Sequence, residues 1–321
     1  DQMLNSYLQG RNYVDSKGNL SLFRAKDITQ VEPETISESL PSFNWQTVYG
    51  RQISLSSSEE KQIRESISNG VNAKLRSYQL EGVRWLATMR INHHGCLLAD
   101  EMGLGKTLQV LSHLYALGKT DMPHLVIAPT SLVYNWQSEI KKFIPSWENR
   151  IGVQLHSPDK TKQLLIVSYD ILRLNIDKYK QIEYDTIIID EAQIIKNRET
   201  QKYKAIKTLK SLHHIILTGT PIENSIDDIW SHFMILMPGM KTLYTSLNKR
   251  CQSKTDESFL ELSRKFLKPF ILRRTKQEVL KDLPKLIEKT VYVEMSSVER
   301  HLYDNVHKMV LRALSNGVSG R

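Results

Sequence analysis

Three observations predict an α/β fold: a central parallel sheet flanked by helices. Five short runs rich in Ile, Leu and Val recur along residues 96–217, with helix-patterned segments between them. The runs are apolar at successive positions, as strands buried on both faces are. The first closes in Gly103-Leu104-Gly105-Lys106-Thr107, and a polar residue stands at the end of each of the others. Ligands in such sheets sit at the carboxyl ends of the strands. Gly103, Thr130, Tyr169, Asp190 and Thr218 all fall at such ends.

Taken in order, residues 1–70 read as the tail of another domain plus a linker. They are broken at Glu32-Pro33-Glu34 and Leu40-Pro41-Ser42. Ser56, ahead of Glu59 and Glu60, starts a capped helix. Leu75, Tyr78, Val83 and Leu86 form the apolar stripe of a second helix, which carries Gln79. The run Cys96–Ala99 is the first strand, and Leu108–Leu117 a helix after the glycine loop. Leu125–Ala128 is the second strand. Ser131 is placed to cap a helix bearing Leu132, Trp136 and Ile140. Leu164–Ser168, Thr186–Ile189 and His214–Leu217 complete the strands, with a helical segment over 200–210. From Asp227 the pattern turns helical, interrupted at Pro238-Gly239.

Composition narrows the function classes. The 321 residues are 40% hydrophobic, enough for a core. No run of eighteen apolar residues is present, so no membrane-spanning helix is expected. The start shows no secretory pattern, and with no Met at position 1 the chain reads as a fragment. Cys96 and Cys251 stand far apart, which argues against a disulfide scaffold or a cysteine zinc site and fits a reducing cytoplasm. The adjacent pairs His93-His94 and His213-His214 form no metal set, since neighbours on a strand point opposite ways. Of the net charge of +9, most lies between Lys241 and Lys289, where thirteen Lys/Arg face six Asp/Glu. That tract is either a solvated basic face or a phosphate-backbone surface.

The glycine loop carries the chemistry. A strand, a glycine turn, Lys-Thr and a helix present backbone N–H groups to phosphates. Lys106 would reach the β- and γ-phosphates, and Thr107 would ligate Mg²⁺. The strict pattern wants glycine where Asp100 stands. About eighty residues on, Asp190-Glu191 closes an apolar strand. A nucleotide hydrolase needs one carboxylate on Mg²⁺ and another to orient the attacking water. Thr218-Gly219-Thr220 sets two hydroxyls at a further strand end, placed to sense the γ-phosphate.

In this order the chain resembles the SWI/SNF-type branch of the superfamily-two nucleic-acid ATPases. The likeness rests on Leu75–Gln79, Asp100–Thr107, Ile127–Leu132 with Asn135-Trp136, and Asp190-Glu191-Ala192-Gln193 with Asn197. Leu217–Asn224 and Phe270–Lys276 extend it over roughly residues 72–300. Asp100 is the residue that branch itself carries at its position. Gln193 departs from the histidine of many relatives and looks like the prokaryotic members.

The resemblance implies a RecA-like first ATPase lobe over 71–290, with a helical insertion at about 237–270. Residues 291–321 would begin the connection to a second lobe that the chain lacks. Arg76, Gln79 and Asp100, Glu101, Met102, Gly103, Leu104, Gly105, Lys106 and Thr107 are implied to bind ATP. Thr107 and Asp190 are implied to hold Mg²⁺, and Glu191 to act as the base. Gln193, Thr218 and Thr220 would couple the site to the second lobe. Thr130, Ser131, Ser168, Tyr169 and Asn197 would approach the DNA backbone. The branch tracks double-stranded DNA, often to displace a bound protein, which implies a cytoplasmic enzyme, nucleoid-associated if the source is prokaryotic. Alternatives are an ATP- and DNA-binding module without turnover and a strand-separating helicase. A small-molecule P-loop kinase ranks last, since nothing supplies an acceptor site.

Overall fold

β-Branched and leucine-rich runs with no polar face can be buried only between two layers of helices. In the structure, a computed structural model, they are. It describes residues 54–219, 226–237, 240–250, 257–279 and 294–317. The strands are β1 (Cys96–Leu98), β2 (His124–Ala128), β3 (Ile151–Val153), β4 (Leu164–Ser168), β5 (Glu183–Ile189), β6 (Lys210–Leu217) and β7 (Ile271–Leu272). They form one parallel sheet in the order β3-β4-β2-β5-β6-β1-β7. The five expected strands are present. The two edge strands, three and two residues long, had not been expected. Runs that short carry no periodicity to read.

The chain from β1 passes over β6 and β5 to reach β2. β5, β6 and β1 therefore lie side by side, although more than eighty residues separate β1 from β5 in sequence. Ile189 pairs with Ile216, and Leu98 with Leu217. This register brings the ends of the three strands to one level, where the candidate residues stand.

Helices cover the sheet. Ser57–Gly70 begins with the expected cap: the Ser56 hydroxyl accepts from the Glu59 N–H and the Glu59 carboxylate accepts from the Ser56 N–H. Lys106–Ala116 follows the glycine loop. The helix Thr130–Phe143 starts at Thr130, with Pro129 at its cap position. Ser131 thus lies within the first turn and does not cap it. The expected helix over 200–210 is confined to Gln201–Lys207, capped by Thr200, because Lys210 already opens β6. Ile226–Leu236, Met240–Arg250 and Glu257–Leu267 pack together through Trp230, Tyr244 and Phe259. The chain then returns to the sheet as β7.

By contacts the chain divides into residues 1–281 and 282–321. The described part of the second unit is chiefly the helix Ser297–Gly317, whose Val298, Leu302, Val306 and Met309 are exposed. Among the described residues no helix is long and apolar enough to cross a membrane.

Candidate active site

The loop after β1 turns through Gly103 (φ +88°) and Gly105 (φ +76°), a region closed to most side chains. Gly105 also lies close to Gln79: a Cβ there would stand 2.6 Å from the Gln79 amide nitrogen. The helix from Lys106 leaves its first-turn N–H groups without intrahelical acceptors, facing the loop. These features suit a phosphate group.

Lys106, Asp190 and Glu191 converge here. Burial pushes the Lys106 ammonium below its ordinary value, against the opposing pull of Asp100, Glu191, Asp190 and Glu101. Its Nζ donates to the Asp100 carbonyl at 2.7 Å. The Asp190 carboxylate is held on both oxygens. Oδ2 accepts from the Trp136 indole N–H at 2.8 Å, and Oδ1 from the Glu191 N–H at 2.9 Å. Burial pushes this carboxyl up despite the Trp136 bond.

Glu191 occupies the left-handed region (φ 49°, ψ 54°), uncommon for a residue with a Cβ. Strain of this kind collects at sites where a side chain must be aimed. The Gln193 amide donates to Glu191 Oε2 at 2.7 Å, and the Thr218 hydroxyl reaches Gln193 Oε1 at 3.4 Å. A relay of hydrogen bonds thus runs from the end of β5 to the end of β6. Thr220 lies outside the described residues.

Gln79 anchors the loop. Its Oε1 accepts from the Arg76 N–H at 2.9 Å, and its Nε2 donates to the Leu104 carbonyl at 3.2 Å. The amide keeps one donor and one acceptor for a ligand. Leu104 has its side chain in the core, so only its backbone can face one. Met102 is exposed at 66%. Glu101 accepts from the Lys276 N–H at 2.7 Å.

Asp100, expected among the ATP-binding residues, has its carboxylate fully buried and held on the Arg274 guanidinium. Arg274 Nε donates to Oδ1 at 2.9 Å, and Gln109 Nε2 to Oδ2 at 3.0 Å. Arg274 also donates to the Tyr78 carbonyl and to Gln109 Oε1. Asp100 therefore offers a ligand no carboxylate. Arg274 and Lys268, both counted in the basic tract, are buried, so that tract is not uniformly a surface.

The expected DNA-facing set also divides. Thr130, Ser131 and Asn197 are exposed. Ser168 and Tyr169 are not. The Ser168 hydroxyl caps the helix Tyr169–Leu174 by accepting from the Ile171 N–H, and both residues are 2% exposed. The Tyr169 hydroxyl donates to the Asp190 carbonyl at 2.7 Å, bracing the acidic strand end from below. A side chain so enclosed cannot meet a duplex.

Comparison with known proteins agrees with this geometry. The model of the SNF2-related domain matches residues 78–321. The chain belongs to the SNF2-related family. An uncharacterized ATP-dependent helicase of Mycoplasma genitalium is 40% identical over 265 residues, covering 78% of this chain and 25% of that protein. YwqA of Bacillus subtilis, a putative ATP-dependent helicase/translocase, is 35% identical over 263 residues, covering 75% and 28%. The chain thus spans about a quarter of these SNF2 relatives. Among solved structures, the Sulfolobus solfataricus SWI2/SNF2 ATPase core in complex with dsDNA aligns with a TM-score of 0.59 at 34% identity, covering 77% of this chain and 55% of that one. The expected RecA-like fold is therefore the fold of this SNF2 domain.

One contact was not foreseen: Trp136, expected on this helix and as part of the Asn135-Trp136 pair, fixes Asp190 through its indole N–H.

Proposed function

We propose that this chain is the ATP-binding motor lobe of an ATP-dependent translocase on double-stranded DNA. One observation carries the reading: the loop lysine and the Asp190-Glu191 carboxylates, more than eighty residues apart in sequence, meet at one edge of the sheet. Lys106 holds the phosphates, exchanging the Asp100 carbonyl for a stronger anionic partner. Thr107 and Asp190 hold magnesium, which when bound screens the triphosphate charge. Among the described residues no three His, Cys, Asp or Glu side chains form an all-protein metal cluster. That suits an ion bound through one or two side chains and the phosphates.

Glu191 is the base that orients the attacking water, aimed by its left-handed backbone and the Gln193 amide. Gln193 and Thr218 carry the state of that carboxylate toward β6 and onward to a second lobe. Exposed Thr130, Ser131 and Asn197 meet the DNA backbone. The neighbour solved with dsDNA supports the choice of duplex. Hydrolysis at a useful rate requires the second lobe, since an arginine inserted in trans is worth about 10³–10⁵ in rate in related phosphoryl transfer.

The test is ATP turnover by the longer parent protein with duplex DNA, single-stranded DNA and neither. Stimulation by duplex is expected; equal rates in all three would overturn the translocase reading. Glu191→Gln in the parent should abolish turnover and retain ATP binding. Normal turnover in that variant would remove Glu191 from its role.

A further inference from the structure

Phe270–Lys276 is one of the runs that carry the family likeness, yet the nucleotide reading gives its last residue no task. β7 pairs with β1 in parallel, Leu272 opposite Leu98. The ladder runs on past both strands and along the glycine loop. The Ala99 N–H donates to the Leu272 carbonyl at 2.7 Å, and the Glu101 N–H to the Arg274 carbonyl at 2.9 Å. The Lys276 N–H then donates to the Glu101 carboxylate at 2.7 Å. A capping pair fixes the chain here: the Thr275 N–H donates to the Glu278 carboxylate at 2.7 Å, and the Thr275 hydroxyl accepts from the Glu278 N–H at 3.4 Å. The Lys276 side chain consequently lies over the loop. A Cβ built on Gly103 would stand 3.5 Å from Lys276 Cε and 3.7 Å from its Nζ. The ammonium is paired with Glu101 Oε1 at 3.7 Å, beyond hydrogen-bond distance, and the two side chains are 45% and 41% exposed. An exposed pair of that length is weak.

We propose that Lys276 is a second nucleotide-binding cation of the glycine loop, parked on Glu101 until the phosphates arrive. The inference deepens the nucleotide reading and rests on it. Gly103 has no side chain, so none of its own separates its backbone from the Lys276 ammonium. A polyphosphate carries several negative charges and is a stronger partner than one exposed carboxylate. The ammonium therefore leaves Glu101 for the ligand, while the backbone bond from Lys276 to the Glu101 carboxylate keeps its stem over the loop. The two lysines come from different elements. Lys106 opens the helix that leaves the loop, and its ammonium is held on the Asp100 carbonyl. Lys276 follows the strand paired beside the loop. Glu101 has two opposed effects: it keeps the second ammonium close, and it competes with the ligand for it.

Two substitutions separate this role from a merely structural ion pair. Lys276→Met keeps an unbranched stem over Gly103 and the backbone N–H, and deletes the charge. Glu101→Gln keeps an acceptor for that N–H and deletes the competitor. The measurement is the affinity of the 321-residue chain for a fluorescent ADP analogue, at low and at near-physiological salt. At low salt Lys276→Met should bind about three- to tenfold more weakly than the unaltered chain, and the gap should narrow as salt rises. Glu101→Gln should bind more tightly, and most of that gain should vanish in the double variant, where no ammonium is left to release. The opposite signs are the signature, because breaking a structural pair from either side weakens binding alike. A Lys276→Met variant within about twofold of the unaltered chain at low salt would overturn the proposal. So would a loss that salt does not change, or a Glu101→Gln variant that weakens binding as Lys276→Met does. An unaltered chain that binds the analogue at neither salt concentration would overturn the nucleotide reading itself, and the proposal with it.

Discussion

Replacing Arg274 by leucine tests whether the approach to the glycine loop is held by a charge pair inside the protein. Arg274 is 1% exposed and Asp100 is 0% exposed, so neither charge has water to fall back on. The substitution leaves Asp100 with the Gln109 amide at 3.0 Å as its remaining side-chain donor. It also removes a donor from the Tyr78 carbonyl and from Gln109 Oε1. Stranding one member of a buried pair costs about 3–5 kcal/mol. The Gln109 amide oxygen, left without its donor, adds about 1 kcal/mol or more, whereas the Tyr78 carbonyl lies within the helix Ser77–Ile91 and keeps its backbone donor. The expected loss is therefore a large fraction of the roughly 5–15 kcal/mol that holds a domain folded. Urea unfolding at constant m-value measures it. The double variant Asp100→Leu with Arg274→Leu removes both charges and should recover most of the loss, with a coupling of at least about 2 kcal/mol. A single variant within about 1 kcal/mol of the unaltered chain would refute the reasoning, as would a double variant that costs the sum of its parts.

Gly82→Ala should destabilise the chain by about 1–3 kcal/mol. A Cβ at that position would lie 1.9 Å from Gln109 Oε1 and 2.9 Å from an Arg274 guanidinium nitrogen. Urea midpoints check it, and a neutral result would mean the network yields. Trp136→Phe removes the donor to Asp190 Oδ2 and should cost about 1–3 kcal/mol. It should also weaken magnesium-dependent nucleotide binding, and unchanged binding would separate the indole from the site. His113, His213 and His232 are buried and His214 partly so, all as neutral imidazoles. Burial pushes His113 down to about 3 and His214 down to about 4, and it lowers the other two as well. Above the unfolded value near 6.5 neither state is protonated, and their contribution to stability is complete. As pH falls below it, the unfolded chain takes up protons that the folded chain refuses. Stability then declines toward pH 4, by up to about 1.4 kcal/mol per pH unit for each imidazole. Urea midpoints at about pH 7.5, 6 and 5 follow the decline; a flat profile would show that these rings protonate without unfolding the chain.

Much of this protein is legible from local pattern. A strand stretch buried on both faces reads as a run of apolar residues, so β1, β2, β4 and the C-terminal halves of β5 and β6 announce themselves. The glycine loop does so because only glycine takes positive φ at no cost beside a ligand. The Ser56–Glu59 cap is legible because it closes within four residues. Pairings across distance are not. Arg274 reads as one more surface cation until Asp100, 174 residues earlier, is placed beside it. Tyr169 reads as an exposed hydroxyl at a strand end until the sheet order sets it beneath Asp190. The short edge strands β3 and β7 exist only because a longer neighbour offers free hydrogen-bonding groups. Periodicity records which face of an element a residue occupies, and that is local. What the face meets depends on the order in which the strands assemble, and that order is decided by the packing of the whole domain.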